Sequence, residues 1–207
     1  MAVITSYTTL LTEVASWLAR SDLTAAIPGF VQNFEERFFR QPKNYGQWMQ
    51  SALSVSFSST ATVPTDLLAL RVAYLDGDSN RPLQQSSLEQ VLQMYPRSTS
   101  GRPKWIARDG TTFMFGPVPD GTYTLNGTYW AKPTALRSYA SDAAAHWLVV
   151  NAPDLLLYGA LMEAQPYNVN DKRYPFWDAK YKEALEEYRS LVKAQNVGMG
   201  SLQTLVV

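Results

Sequence analysis

The chain has 207 residues, no cysteine and one histidine. The first absence removes disulfides, thiolate metal sites and cysteine nucleophiles together. The second rules out a histidine metal cluster and leaves any Ser-His-Asp triad resting on His146, which sits in AAAHWLVV with no Gly-x-Ser-x-Gly elbow elsewhere. A packing or helix-surface role is expected for it. No apolar run reaches the ~18 residues of a membrane span, and the start MAVITSYTTLLTEVASWLAR lacks a basic region and meets Glu13. Neither a signal peptide nor a spanning segment is expected. Lys plus Arg equals Asp plus Glu at 18 each, so no net field draws the protein to nucleic acid or an anionic membrane.

Large rings are plentiful: 6 Trp, 12 Tyr and 8 Phe in a chain that is 46% apolar, so aromatics must carry much of one fair-sized core or two small ones. Tyr7, Leu10, Leu11, Val14, Trp17 and Leu18 recur at helical spacing, with Thr8, Thr12, Glu13 and Ser16 opposite. In the Arg-Ser-Asp-Leu corner that follows, Ser21 suits the cap of a short turn beginning at Asp22. Pro28 suits the first position of a second helix. Along it Phe30, Phe34 and Phe38 lie four apart, Glu36 precedes Arg40, and Pro42 ends it.

The period then changes. Leu53, Val55 and Phe57 alternate with serines as in a half-buried strand, and Leu70, Val72 and Tyr74 continue after the Val63-Pro64 turn. Ser87 and Gln90 have capping-box spacing before a short helix carrying Leu88, Val91, Leu92 and Tyr95 and stopped by Pro96. Asp109-Gly110 joins two strand-like runs as a hairpin, and TYTLNGTYWAK reads as one strand through Asn126-Gly127.

From Asp142 the helical period returns, with a proline-marked start at Pro153-Asp154 and the apolar helix LLLYGALMEA. A long helix from about Asp171 to Gln195 is expected to bury Trp177, Tyr181, Leu185, Tyr188 and Leu191. The order is helices, strands, helices. The expected fold is α+β, with N- and C-terminal helices forming one bundle and a β-rich insertion, a sheet or small sandwich plus a short helix, between them. The boundaries are 1–43 and 140–197 for the helical halves, 44–139 for the insertion and 198–207 for a flexible tail. Leu10, Trp17, Leu156, Tyr181 and Leu185 should share one core.

Other candidate chemistry reads as structural. DGDSN at 76–80 opens like a calcium loop but has Arg81 and Ser87 where that loop needs Gly and Glu, so a plain turn is expected. Asn126-Gly127-Thr128 matches a glycosylation acceptor by chance. Glu35 and Glu36 diverge by about 100° on a helix and cannot flank one bond. Glu163, within an apolar helix, is expected to pair with an arginine of a neighbouring helix or subunit. No metal, cofactor or catalytic residue is expected; a cell-wall glycan hydrolase using Glu163 or Glu35 and a carbohydrate-binding module are the competing classes.

WLARSDLTAAIPGF at 17–30, VPTDLLALR at 63–71, FMFGPVPDGTYTLNGTYWAKPTAL at 113–136 and APDLLLYGALMEAQPY at 152–167 resemble, in that order, the head-to-tail adaptor (neck) proteins of tailed bacteriophages, especially short-tailed ones. The long last helix fits that pattern as well. The resemblance implies a structural protein of the virion neck: a homo-oligomeric ring, twelve copies in relatives, beneath the portal. Such a ring extends the channel through which DNA passes without specific binding, and offers a platform to tail nozzle or fibre proteins. The resemblance departs at Asn33-Phe34, where relatives carry a small, Ala-bearing helix middle.

The corner is expected to be rigid. Arg20 and Asp22 flank the reversal, so the guanidinium can bond a carboxylate or helix-end carbonyls and fix the angle between helices, which closure of a ring demands. Trp17, Glu35 and Arg40 belong to the same geometry, while Pro153, Asp154, Tyr158 and Glu163 form the start and core of the later helix. At the C-terminus Gly198 and Gly200 release Ser201, Leu202, Thr204, Leu205, Val206 and Val207. That tail is expected to dock on the portal, because ordering so short a segment alone gains too little.

Overall fold

The computed structural model describes residues 3–139, 146–167 and 171–197. Asp142 and the tail from Gly198 lie outside them. The architecture is α+β, with a β-rich insertion between helical ends. Contacts divide the chain into two compact units, Met1–Trp48 with Thr134–Val207, and Met49–Pro133.

In the first unit, α1 (Tyr7–Leu18) and α2 (Ile27–Phe39) are followed, after the insertion, by α4 (Trp147–Asn151), α5 (Pro153–Glu163) and α6 (Tyr174–Val197). The insertion holds the remaining helix, α3 (Leu88–Met94). Ser6 caps α1, its Oγ accepting from Thr9 N–H at 3.2 Å while Thr9 Oγ1 accepts from Ser6 N–H at 2.8 Å. Pro28 stands in the first turn of α2, one position later than expected, with Ile27 leading. Helix α5 is buried all round from Leu155 to Leu161, as an apolar helix without a polar stripe must be. It packs against α1, α2 and α6.

Three expectations about this unit are corrected. Glu13 is not on a polar face: it is buried, one turn before Trp17, whose indole N–H donates to its carboxylate at 3.1 Å. Leu10 and Leu156 are fully buried, but Trp17, Tyr181 and Leu185 are only half-buried. On α6 the buried line runs Trp177, Ala184, Tyr188, Val192, leaving Leu191 44% exposed. The spacing of large side chains misplaced that face because a small residue, Ala184, sits at its centre.

The second unit contains two sheets. β1 (Gln50–Phe57), β7 (Tyr123–Ala131) and β3 (Leu67–Leu75) form one antiparallel sheet in that order. β2 (Ala61–Thr62), β6 (Thr112–Gly116), β5 (Trp105–Asp109) and β4 (Gln84–Gln85) form the other, with β4 parallel to β5. The alternation of Leu53, Val55 and Phe57 is inward as expected, and Phe57 stacks on Phe115 with ring centroids 4.1 Å apart. Gly110, at φ 56°, turns β5 into β6 with Asp109 opposite Thr112. β7 runs unbroken through Asn126-Gly127. A Cβ on Gly127 would lie 2.1 Å from the carbonyl oxygen of Val72, so glycine here permits strand approach rather than a turn.

In β3 the expected face is wrong beyond Leu70. The register against β7 slips between Leu70 and Val72, and this bulge reverses the phase: Ala73 and Leu75 are buried while Val72 and Tyr74 are half-buried. In α3, capped by Ser87, Val91 is buried over the β5–β6 pair but Leu92 is exposed. The DGDSN segment is a turn with Gly77 at φ 75°; Asp78 pairs with Arg102 at 3.1 Å, and Asp76 accepts from Asn126 at 3.3 Å.

Candidate functional site

The corner after α1 is built from the backbone outward. Ala19 adopts the left-handed conformation, φ 52°, and its N–H closes α1 on the Ala15 carbonyl at 3.0 Å. An extended Arg20 then leads into a 3₁₀ turn, Ser21–Leu23, that buries Leu23. Ser21 is the first residue of that turn rather than its cap; its carbonyl accepts the Thr24 hydroxyl at 2.9 Å. Arg20 grips Asp22 with two nitrogens, Nε to Oδ1 at 3.0 Å and Nη2 to Oδ2 at 2.5 Å. Its third nitrogen reaches the carbonyl of Tyr167 at 3.1 Å, in the turn that follows α5. Hydrogen bonding to Arg20 holds the Asp22 carboxyl below the usual range.

A second arginine, which the sequence pattern did not single out, makes the reciprocal contact. Arg173, at the start of α6, donates to the carbonyls of Trp17 at 2.6 Å and Leu18 at 3.1 Å. These are C-terminal carbonyls of α1, where helix polarity favours a cation. Asp171 orients it through Nε at 3.0 Å and Nη2 at 2.8 Å, and the guanidinium lies 4.9 Å from the Trp177 ring centroid. Each corner therefore sends an arginine to the other's carbonyls, and each arginine is held by an aspartate two residues away. Arg-x-Asp at 20–22 and Asp-x-Arg at 171–173 are the one sequence signal that could have found the pair. Both arginines are well exposed, so their worth lies in fixed geometry more than in ion-pair energy.

The rest of the predicted set supports α5. Pro153 and Asp154 occupy its first turn, and Tyr158 is buried against Trp17 in an edge-to-face contact at 5.7 Å. Glu163, nearly buried, pairs with Arg37 of α2 at 2.8 Å. Glu35, also buried, accepts the backbone N–H of Leu136 at 3.0 Å. Arg40 Nε donates to the Glu36 backbone carbonyl at 3.2 Å. Phe34 lies over Gly159 of α5, where a Cβ would fall 2.3 Å from its ring, so the bulk at the centre of α2 is met by an absent side chain opposite. Ser201 to Val207 lie outside the described residues.

His146 is buried between Trp48 and Tyr139, each 5.4 Å away by ring centroids, and its Nδ1 caps α4 by accepting from Leu148 N–H at 3.2 Å. Burial lowers its pKa to about 4, so it is neutral and packed near pH 7. Nearby, Trp48 donates to Tyr188 at 3.2 Å and Tyr188 donates to the Asn44 carbonyl at 2.7 Å, while burial lifts the Tyr188 phenol to about 12. Among the described residues no cluster of His, Asp and Glu could hold a metal ion, and no helix is long and apolar enough to cross a membrane.

The carboxylates of Glu35 and Glu163 are thus engaged in a backbone bond and an ion pair, and Arg20 and Arg173 bond main-chain carbonyls at the ends of α1 and the turn after α5. The family is specific: residues 5–203 match the model of the SU10 adaptor protein, and the chain belongs to that family. It is thus a phage adaptor-type structural protein of the virion neck, associated there with portal and tail proteins. No curated protein matches the sequence.

Proposed function

We propose that copies of this chain, twelve in number, close into a ring beneath the portal, extend the DNA channel and carry the tail nozzle or fibre proteins. The observation that carries this reading is the family match across residues 5–203, which runs through both compact units and into the last ten residues. The cross-clamped corners at Arg20 and Arg173 support it, because small angular errors per subunit accumulate around a ring and prevent closure. Equal numbers of acidic and basic residues suit a channel that DNA passes without specific binding. Assembly would take place in the host cytoplasm, and the finished ring in the virion has a role in DNA ejection.

In this reading Trp17, Arg20, Asp22, Glu35 and Arg40 set the ring geometry, and Pro153, Asp154, Tyr158 and Glu163 hold the helix against which that geometry is built. The segment Ser201 to Val207 docks on the portal, each tail after the first binding at raised effective concentration. Deleting it tests the anchor. The truncated protein should keep its solubility and melting temperature but fail to decorate portals; wild-type occupancy would refute the tail's role.

A further inference from the structure

Helix α6 buries one line of residues and leaves two flanks beside it. On one flank it meets the short turn Pro42–Asn44 across an open groove of about 360 Å³. Buried Tyr45 and Val192 lie within this groove beside Pro42, and its exposed surface is mainly apolar. Three cations line it as well: Lys43, Arg189 and Lys193. Arg189 spends its donors on the neutral amides of Asn44 at 2.9 Å and Gln41 at 2.6 Å, while Lys43 and Lys193 are exposed. None of the three pairs with a carboxylate among the described residues.

The other flank has the opposite character. Leu191 stands 44% exposed, and exposed Glu187 precedes it by one turn. Glu183 continues that line but is paired with Lys180 at 2.7 Å, whereas Glu187 makes no hydrogen bond or ion pair among the described residues. At about 100° per residue, Glu187 and Leu191 lie about 170° around α6 from Arg189, Val192 and Lys193. The two surfaces look away from each other and cannot meet within one chain. They share one level, because two residues of helix, as from Leu191 to Arg189 or Lys193, rise only about 3 Å.

We propose that these surfaces are the two halves of a head-to-tail interface between copies of this chain. Leu191 of one copy enters the groove of the next over Tyr45 and Val192, and Glu187 meets the cations there. Charge selects this pairing: groove against groove would oppose cations, and Leu191 flank against Leu191 flank would oppose carboxylates. A contact between two different patches repeats instead of stopping at a dimer. Because the patches share one level, copies standing side by side with α6 along a common axis advance without climbing, as a closed ring requires. This interface rests on the ring reading above and names the surfaces that would form it.

The chain has no cysteine, so engineered thiols report the contact without background. Ala194→Cys beside Leu191 and Lys43→Cys at the groove are exposed positions that leave Leu191 and Glu187 in place. The double variant, assembled on its cognate portal and treated with a short bismaleimide, should give a ladder of trimers and larger species. An equal mixture of the two single variants should stop at dimers, and each single variant alone should stay monomeric. Leu191→Lys or Glu187→Arg should lower ring occupancy on portals about tenfold with chemical unfolding unchanged, and adding Lys193→Glu to Glu187→Arg should restore most of it. Closed rings that yield no ladder, Ala194→Cys cross-linking to itself, or full occupancy with Leu191→Lys would overturn this interface and leave the ring reading standing. Portals left bare by the wild-type protein would overturn the ring reading and the interface with it.

Discussion

The ring of Phe34 in α2 occupies the place where residue 159 in α5 would carry its Cβ: the added atom would sit 2.3 Å from Phe34 Cε2, and Phe34 is buried with little room to withdraw. Gly159→Ala should therefore destabilise the protein by about 1 to 3 kcal/mol, despite the roughly 1 kcal/mol that Ala gains over Gly in a helix. Adding Phe34→Leu should recover part of that loss in denaturant unfolding. Additive effects of the two substitutions would show that the residues are not coupled.

Glu13 and Trp17 make a second coupled pair. Trp17→Phe keeps an aromatic ring against Tyr158 but removes the N–H that the buried Glu13 carboxylate accepts. The expected cost is about 1 to 3 kcal/mol, and Glu13→Gln in the same background should return some of it. Unchanged melting of Trp17→Phe would contradict this.

The pH dependence follows from His146. Its folded pKa of about 4 lies below the unfolded value near 6.5, so the unfolded chain binds the extra proton first as pH falls. The stability from the neutral, buried imidazole is complete above about pH 6.5 and is lost progressively towards pH 4, amounting to about 3 kcal/mol. His146→Asn, which keeps a capping side chain, should flatten the pH profile of chemical denaturation between pH 4 and 6.5. A slope identical to wild type would place the titrating group elsewhere.

Local signals in the sequence located the elements well. The serine-spaced strand at Leu53 to Phe57, the Asp109-Gly110 hairpin and the unbroken strand through Asn126-Gly127 depend on period and turn chemistry within a few residues. What could not be read depended on a distant partner. The phase of β3 reverses at a bulge against β7, the inner face of α6 is marked by Ala184 instead of Leu191, and Glu13 is buried because Trp17 supplies its donor. At the corner, Arg20 and Asp22 are close in sequence and were legible. The Tyr167 carbonyl and the answering Arg173 lie about 150 residues away, and no periodicity reports them.

The two clamps should be separable by substitution. Arg173→Ala removes the cation from the α1 carbonyls and should speed amide exchange at Ala19 and the adjoining turn, with a stability cost of about 1 kcal/mol, while Arg173→Lys restores charge without the fork. Arg20→Ala should leave the monomer folded and lower the yield of closed rings on portals. Normal assembly in Arg20→Ala, or simple unfolding of its monomer, would remove the corner from the account of ring geometry.

The central claim is assembly, and electron microscopy of the purified protein mixed with its cognate portal tests it most directly. The account predicts a closed ring of twelve subunits added to one end of the portal and coaxial with its channel. Portals that remain bare at saturating protein concentration, or that carry scattered single subunits without a ring, would contradict it.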